Sequence, residues 1–236
     1  MSRIYEIADE YVDRFAQLHP VAATAIGIPG HDARMTDYSP VGDEAMLDLQ
    51  RRTRMDLSAV RAESARDRVA LEAMLERLSL EIELQESDEH LRSLSILGSP
   101  LQAIRGCFDL MPRDTEEHWK NIATRLHFVP QGLAGYRSTL EEGLERGVLA
   151  AQRQARECGV QCEIWSGSST DTRSFFDSLL EAYDASDVSE SGSGSTALRA
   201  EIEGGAGVAA EAYASFGNYL TERYLPEAEE RDPVGP

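Results

Sequence analysis

Apolar residues recur every three or four positions at the start of the chain, with charged residues between them. Over residues 2–18 this spacing puts the apolar side chains on one face and the charged ones on the other, which predicts an amphipathic helix. The apolar face consists of Ile4, Ile7, Ala8, Tyr11, Phe15 and Leu18. His19 and Pro20 end this pattern, and a short second helix is predicted over residues 21–26, terminated by Gly27.

Two longer helices are predicted over residues 44–62 and 65–86, because neither segment contains glycine or proline. We expect them to pack as an antiparallel pair. The second carries an apolar stripe made of Leu71, Met74, Leu75, Leu78 and Ile82. The first is rich in arginine interspersed with acids, which is more typical of a salt-bridged exposed face than of an anion site.

Turn and cap residues divide the middle of the chain into three predicted short helices. Ser99 and Pro100 open the first, and Pro112 closes it. Asp114 and Glu117 have the spacing of a capping box, which predicts the start of the second helix.

Pro130 is predicted to end this second helix, because proline lacks the amide hydrogen that a helix interior needs. The third helix is predicted to run to Gly147. After Gly147, a further helix is predicted to about Cys158, where the sequence CGVQCEIWSGSSTD interrupts it. Thr170 or Asp171 is the predicted N-cap of the next helix, which carries Phe175, Phe176, Leu179, Leu180 and Tyr183.

The chain is predicted to divide into a helical N-terminal domain over residues 1–183 and a flexible linker of glycine, serine and acidic residues over 184–195. A long helix over 196–225 and a disordered tail over 226–236 would follow. Glycines 204, 205 and 207 predict a close helix crossing or a kink. No segment alternates strictly enough for a strand, so the predicted fold is all-α: an array of antiparallel amphipathic helices without a substantial sheet.

The predicted loop over residues 27–43 is unusually long for a compact domain and is dense in glycine, proline, aspartate and serine. Long ordered loops are often functional. This segment is therefore the first place to look for a site.

Two stretches of the chain resemble a known family. They read HPVAATAIGIPGHDARMTDYSP and LGSPLQAIRGCFDLMPRDTEEHWKNIATRLHFVPQGLAGYRSTLEEGLERGV. Both are similar to the N-terminal half of the bacterial "domain of unknown function 885" family, and the resemblance runs from about Tyr5 to about Val234. Longer members look like zinc metallopeptidases with a His-Glu-x-x-His helix in the C-terminal half. That motif does not occur in these 236 residues.

The resemblance places an Asp-x-Arg element in the long loop, at Asp32 and Arg34, next to His31. These three residues are the candidates for substrate contact. The competing interpretation is structural, with an ion pair between the aspartate and the arginine that holds the loop.

No catalytic or metal-binding set is predicted in the chain itself. None of the five histidines has a second histidine four residues away with a glutamate between them. Cys158 and Cys162 are spaced for one helical face, but a zinc site needs two more ligands and Gly159 is expected to break the helix between them. The adjacent carboxylates at 116–117 and 141–142 point about 100° apart on a helix, which favours capping and solvation over an acid–base pair.

Charge and composition limit the partners and the compartment. There are 42 acidic and 23 basic residues, and the net charge of −19 argues against binding to nucleic acid or to an anionic membrane. The three cysteines do not form a secreted disulfide framework, and no signal peptide or long apolar run is present. We therefore expect a cytoplasmic protein.

Three functions stay open on the sequence alone. The first is the helical scaffold and cleft wall of a zincin-like metallopeptidase, inactive by itself, with no cofactor in this chain and zinc only in a full-length relative. Its expected partner is the C-terminal half of the same family, or a second copy in a homo-oligomer. The alternatives are a non-catalytic helical interaction module and a carrier of a small ligand between helices.

Overall fold

The computed structural model describes residues 2–169, 173–191 and 195–231. Its helices are α1 (Arg3–Leu18), α2 (Pro20–Ala25), α3 (Pro40–Ser58), α4 (Ala65–Glu86), α5 (Pro100–Leu110), α6 (Glu116–Arg146), α7 (Gln152–Ser166), α8 (Phe175–Asp184), α9 (Asp187–Ser191) and α10 (Ser195–Tyr219). A 3₁₀ turn at Glu89–Arg92 follows α4, and a π-helical turn at Leu220–Tyr224 extends α10. Within the described residues, extended pairing is limited to an isolated bridge between Ala151 and Glu229. The predicted all-α fold is confirmed.

The long helices α6 and α10 form the centre of the molecule. Gly205 lies against Leu126, and Tyr136 stacks on Phe216 at 5.4 Å between ring centroids, so the two helices run in the same direction. α7 runs antiparallel to α10, because Trp165 contacts Tyr213 while Ala151 pairs with Glu229. The array is thus antiparallel in some pairs, and parallel in its central pair.

The helices α3 and α4 form the antiparallel pair that the sequence predicts. Arg51 of α3 reaches Glu86 at the end of α4, while Leu57 and Leu78 lie in the same apolar cluster nearer the connecting turn. Ser64 and Asp67 form a reciprocal capping box at the start of α4. Together with α1, this pair builds an apolar cluster separate from the main core.

Pro130 does not end a helix, and the second and third predicted short helices are the single helix α6. The physical reason is burial: the side chains of Leu126, Val129 and Leu133 are buried on either side of the proline. Keeping this face helical outweighs the loss of one backbone hydrogen bond. The N-cap also differs from the predicted capping box, because Thr115 accepts the amide hydrogen of His118.

α7 likewise continues beyond Cys158, where a break was predicted. Gly159 lies inside the helix at a close crossing, because a Cβ there would stand 3.2 Å from Oγ1 of Thr221. The helix ends eight residues later at Gly167. For α8, Ser174 is the N-cap; Thr170 and Asp171, which were predicted for that role, lie outside the described residues.

The predicted linker and tail are more structured than their composition suggests. Residues 187–191 form α9, and Arg199 of α10 makes a bidentate ion pair with Asp184 at 2.8 and 2.9 Å. In the tail, the amide of Glu229 donates to the carbonyl of Ala150, and its carbonyl accepts from the amide of Gln152. Residues 192–194 and 232–236 lie outside the described part.

None of the helices in the described residues combines the length and apolar character that crossing a lipid bilayer requires.

Candidate functional site

A cavity of about 730 Å³ lies between α1, α3, α4 and the segment that leads into α3. It opens where the two apolar clusters meet, since its lining includes Leu78 of the smaller cluster and Tyr38 of the main core. Most of the lining is apolar, contributed mainly by Tyr11, Val12, Phe15, Met46, Met74 and Leu78. A cavity of this size fits one or two amino-acid side chains or a small organic molecule.

Four aromatic rings form one wall of the cavity. Successive centroids are 6.1 Å apart from Tyr11 to Phe15, 5.7 Å from Phe15 to His19 and 5.6 Å from His19 to Tyr38. The first three residues are spaced by four along the chain and so lie on one face of α1 and its end. Helical spacing therefore builds this wall, and the edge-on ring of Tyr38 closes it.

His19 is held in one orientation by hydrogen bonds. Its Nδ1 accepts the amide hydrogen of Ala22 at 3.3 Å and lies 3.0 Å from the hydroxyl of Thr36. Because Nδ1 acts as an acceptor, the ring hydrogen is assigned to Nε2. Burial lowers the pKa of His19, so the imidazole is neutral at physiological pH.

Asp43 contributes to the lining a carboxyl group whose ionisation is strongly perturbed. Its pKa is raised to about 7, mainly by burial and to a lesser extent by the negative charges of Asp37 and Glu142, while the hydrogen bond from Thr139 opposes the shift. The Thr139 hydroxyl lies 3.4 Å from Oδ2 of Asp43 and donates to the carbonyl of Tyr38 at 2.8 Å. Within the described residues no arginine, lysine or histidine forms an ion pair with Asp43.

The remaining polar lining is mostly acceptor in character. Gln50 is buried, and its Oε1 has no hydrogen-bond partner in the part of the chain that the structure describes. Asp37 and Glu81 add two exposed carboxylates, and Arg77 is paired with Glu81 at 3.9 Å on the exposed side of α4. The cavity therefore holds three carboxyl groups and one arginine.

The sequence candidates His31, Asp32 and Arg34 lie in the loop before α3, outside the cavity lining. Asp32 accepts from the Thr24 hydroxyl at 2.6 Å, and Arg34 donates to the carbonyl of Gln17 at 3.0 Å. An ion pair between Asp32 and Arg34, which was the structural interpretation, is not formed in this described loop. The contact of these three residues with a substrate stays a prediction.

The loop is held instead by Arg125 of α6, which is fully buried. Its guanidinium donates to the carbonyls of His31 and Arg34 at 2.8 and 2.9 Å, and to the hydroxyl of Thr24 at 2.9 Å. Since Thr24 donates in turn to Asp32, the hydroxyl links the arginine to a carboxylate. Sequence reasoning missed this residue, although an arginine on the apolar face of α6, next to Leu126, was a detectable signal.

The predicted long loop contains several of the lining residues, namely Thr36, Asp37, Tyr38, Gly42 and Asp43. Their role was not recognised, because burial and a raised pKa leave no mark in residue spacing. Ser39 caps α3 by accepting the amide hydrogen of Gly42, so Asp43 stands in the first turn of that helix.

Metal ligands and thiols are not gathered at the cavity. Among the described residues no three histidine, cysteine, aspartate or glutamate side chains are placed to hold a metal ion. All three cysteines are buried and free, and burial raises the pKa of Cys107 to about 11. Such thiols are poor nucleophiles at neutral pH.

No curated protein matches this chain. The model of one family does match, over residues 20–236, and its description is "Bacterial protein of unknown function (DUF885)". That match covers most of the sequence and, apart from His19, includes both stretches on which the resemblance was based. The chain therefore belongs to the DUF885 family of bacterial proteins of unknown function.

Proposed function

We propose that this chain is the helical scaffold of a zincin-like metallopeptidase and forms one wall of its substrate cleft. The observation that carries the proposal is the open cavity of about 730 Å³ between α1, α3 and α4, whose apolar and polar lining suits a side chain of a bound peptide. Its walls are helices, which hold a binding surface more rigidly than loops do.

The residues that the structure describes do not form a site for a zinc ion, so no catalytic step is assigned to them. His19 uses Nδ1 to cap α2, and Cys158 and Cys162 are buried in the main core. In this proposal the His-Glu-x-x-His motif belongs to other polypeptide of the same family, and the described helices position the peptide.

The purified chain tests the proposal directly. We expect metal analysis to find no stoichiometric zinc and peptide assays to find no hydrolysis, while short peptides bind and shift NMR signals of α1 and α3. Phe15→Ala should weaken that binding about 10-fold, since Phe15 belongs to the aromatic wall.

Phe128→Ala is the matched control, because Phe128 is an exposed phenylalanine on α6 away from the cavity lining. One tightly bound zinc per chain, or peptide hydrolysis by the purified chain, would contradict the proposal. If neither substitution affects peptide binding, the peptide does not bind in the cavity.

An interaction module is the second candidate, favoured by a stripe of apolar side chains on the outer face of α4. Val69, Leu80 and Leu84 are 67%, 42% and 42% exposed and lie within about 60° of one another around the helix. Apolar side chains aligned on an exposed helix face suit docking to another chain. A second copy is the partner to test first.

Light scattering across a range of concentrations tests docking through α4. Association that Leu84→Glu abolishes, and that Met55→Glu on α3 leaves unchanged, would support it. A chain that stays monomeric with a cooperative thermal transition at every concentration would contradict it.

A further inference from the structure

Asp43 lines the cavity, and no positive group among the described residues is paired with its carboxyl group. Asp37 precedes it in the chain, Glu142 faces it from α6, and both make its ionisation less favourable. On the other walls the titratable groups are His19, Tyr11, Tyr38, Glu81 and Arg77. His19 is neutral, and Arg77 lies at the exposed side with Glu81 as its partner. The enclosed part of the cavity therefore has negative potential without a compensating cation.

A second group points to a missing donor. Gln50 lines the cavity and is 8% exposed, and its Oε1 accepts no hydrogen bond from any described residue. A buried amide oxygen without a donor costs free energy, and a ligand carrying N–H groups would recover it. A positively charged N–H group of such a ligand would also pair with the carboxylate of Asp43, which lies about two helical turns earlier on α3.

The rest of the lining indicates which kind of cation the cavity would accept. The faces of Tyr11 and Phe15 carry negative π density, which attracts an ammonium or guanidinium group. Met46, Met74 and Leu78 provide apolar contact for a carrier of several carbon atoms. An inorganic cation would leave these side chains without a partner.

We infer that the cavity binds an organic cation, a protonated amine on an apolar carrier, with Asp43 as its counter-ion and Gln50 as an acceptor. This inference rests on the proposed cleft and names the class of group that the cleft takes. A small free amine and the amino terminus of a peptide share this chemistry, so the experiment includes both.

Proton linkage gives the site a recognisable signature. Asp43 must release its proton to pair with the amine, and it is largely protonated below its pKa of about 7. The affinity for the amine should therefore fall by about 10-fold or more between about pH 8 and about pH 5. Burial lowers the pKa of His19, so Asp43 is the lining group that is expected to change its charge around neutral pH.

Isothermal titration calorimetry with three probes of one shape tests the charge. Phenethylamine is the cation, phenethyl alcohol is neutral, and phenylpropionate is the anion. At about pH 8 we expect the amine to bind at least about 10-fold more tightly than either of the others. Titrations in buffers of different ionisation enthalpy should also show protons released on binding near neutral pH.

Asp43→Asn should weaken amine binding about 10-fold at about pH 8, leave the alcohol unchanged and abolish the pH dependence. Glu44→Gln is the matched control, since Glu44 is an exposed acid in the same turn of α3 outside the lining. Circular dichroism checks that both variants fold. If Asp43→Asn does not fold, the pH dependence of binding and the proton release of the unmodified chain still test whether Asp43 is the counter-ion of the amine.

A peptide with a free amino terminus and its acetylated form complete the design. If both peptides bind equally and the amine has no advantage, the cation inference is wrong and the cleft proposal stands. If phenethylamine binds through Asp43 and neither peptide binds, the cation inference holds and the peptide cleft is wrong. Equal binding of alcohol, anion and amine would also overturn the inference.

Discussion

Arg125, which is fully buried, and Asp43, which is partly buried, set the local chemistry of this molecule in opposite ways. Arg125 has its donors matched by carbonyl and hydroxyl oxygens, so burial is compatible with its charge. Asp43 has a single hydroxyl partner and acidic neighbours, so burial favours its neutral form. The first residue holds a loop in place, and the second makes the cavity sensitive to pH.

The stability of the chain should depend on the ionisation of Asp43. Its pKa is higher in the folded chain, at about 7, than the ordinary aspartate value of 3.8. The folded state therefore binds the proton more tightly, and stability falls as pH rises from about 4 to about 7. Asp43→Asn should remove this fall and raise the free energy of unfolding at about pH 8 by roughly 2–4 kcal/mol.

Urea unfolding at about pH 5 and about pH 8 measures this effect, with Glu44→Gln as the comparison. If the stability of Asp43→Asn falls with rising pH as steeply as that of the unmodified chain, Asp43 does not cause the pH dependence of stability.

Removing the guanidinium of Arg125 should release the loop that contains His31 and Arg34. Arg125→Met leaves their carbonyls without donors, and we expect a loss of about 2–4 kcal/mol in unfolding free energy. Amides of residues 31–36 should lose hydrogen-exchange protection first. Lys120→Met, on the exposed side of the same helix, should change stability by less than about 0.5 kcal/mol. Equal losses in the two variants would contradict this role.

At the scale of elements, the crossing of α6 and α10 depends on a glycine. A Cβ at Gly205 would stand 2.8 Å from Cβ of Leu126 and 3.3 Å from the carbonyl oxygen of Ala123. No side chain fits between two helices at that separation without moving one of them. The predicted close crossing is confirmed at this position.

Two glycine substitutions in α10 should therefore have opposite effects. Gly205→Ala should destabilise the chain by about 1–3 kcal/mol, because the new methyl group overlaps α6. Gly207→Ala meets nothing within 4 Å and should stabilise it by about 0.5–1 kcal/mol through helix propensity. Thermal and urea unfolding of both variants measure the difference. A stabilising Gly205→Ala would mean that the helices can separate at little cost.

At the scale of the whole molecule, two apolar clusters of unequal size support the fold. The main core joins α5, α6, α7, α8 and α10, while the smaller cluster contains Ile4, Ile7, Leu57 and Leu78 from α1, α3 and α4. The cavity lies between them. A ligand there would contact both clusters. Binding should therefore stabilise the packing of the smaller cluster on the main core.

Local opening should follow this division. We expect amides of α1 and α3 to exchange at lower opening free energies than those of α6 and α10, because fewer buried side chains hold them. Leu57→Ala should increase exchange in α1, α3 and α4 while leaving α6 and α10 nearly unchanged. Hydrogen exchange followed by mass spectrometry tests this. A uniform increase over all helices would show that the molecule opens as one cooperative unit.

The residue pattern determined the elements whose evidence is local. Apolar spacing predicted α1 and α4, and a run without glycine or proline predicted α3, although α3 begins earlier, at Pro40. Ser99 and Pro100 marked the start of α5, and Gly147 ended α6 in a left-handed conformation, φ 70°. Each of these depends on neighbours within one or two helical turns, which a linear sequence contains.

Only the tertiary structure decided the continuity of α6 through Pro130, the parallel packing of α10, the role of Arg125 and the cavity. Tyr11, Asp43 and Glu81 are far apart in sequence, and no spacing rule brings them to one cavity. The raised pKa of Asp43 comes from burial beneath other helices. Spacing along a chain records which face a side chain occupies, whereas burial and electrostatic environment depend on what packs against that face.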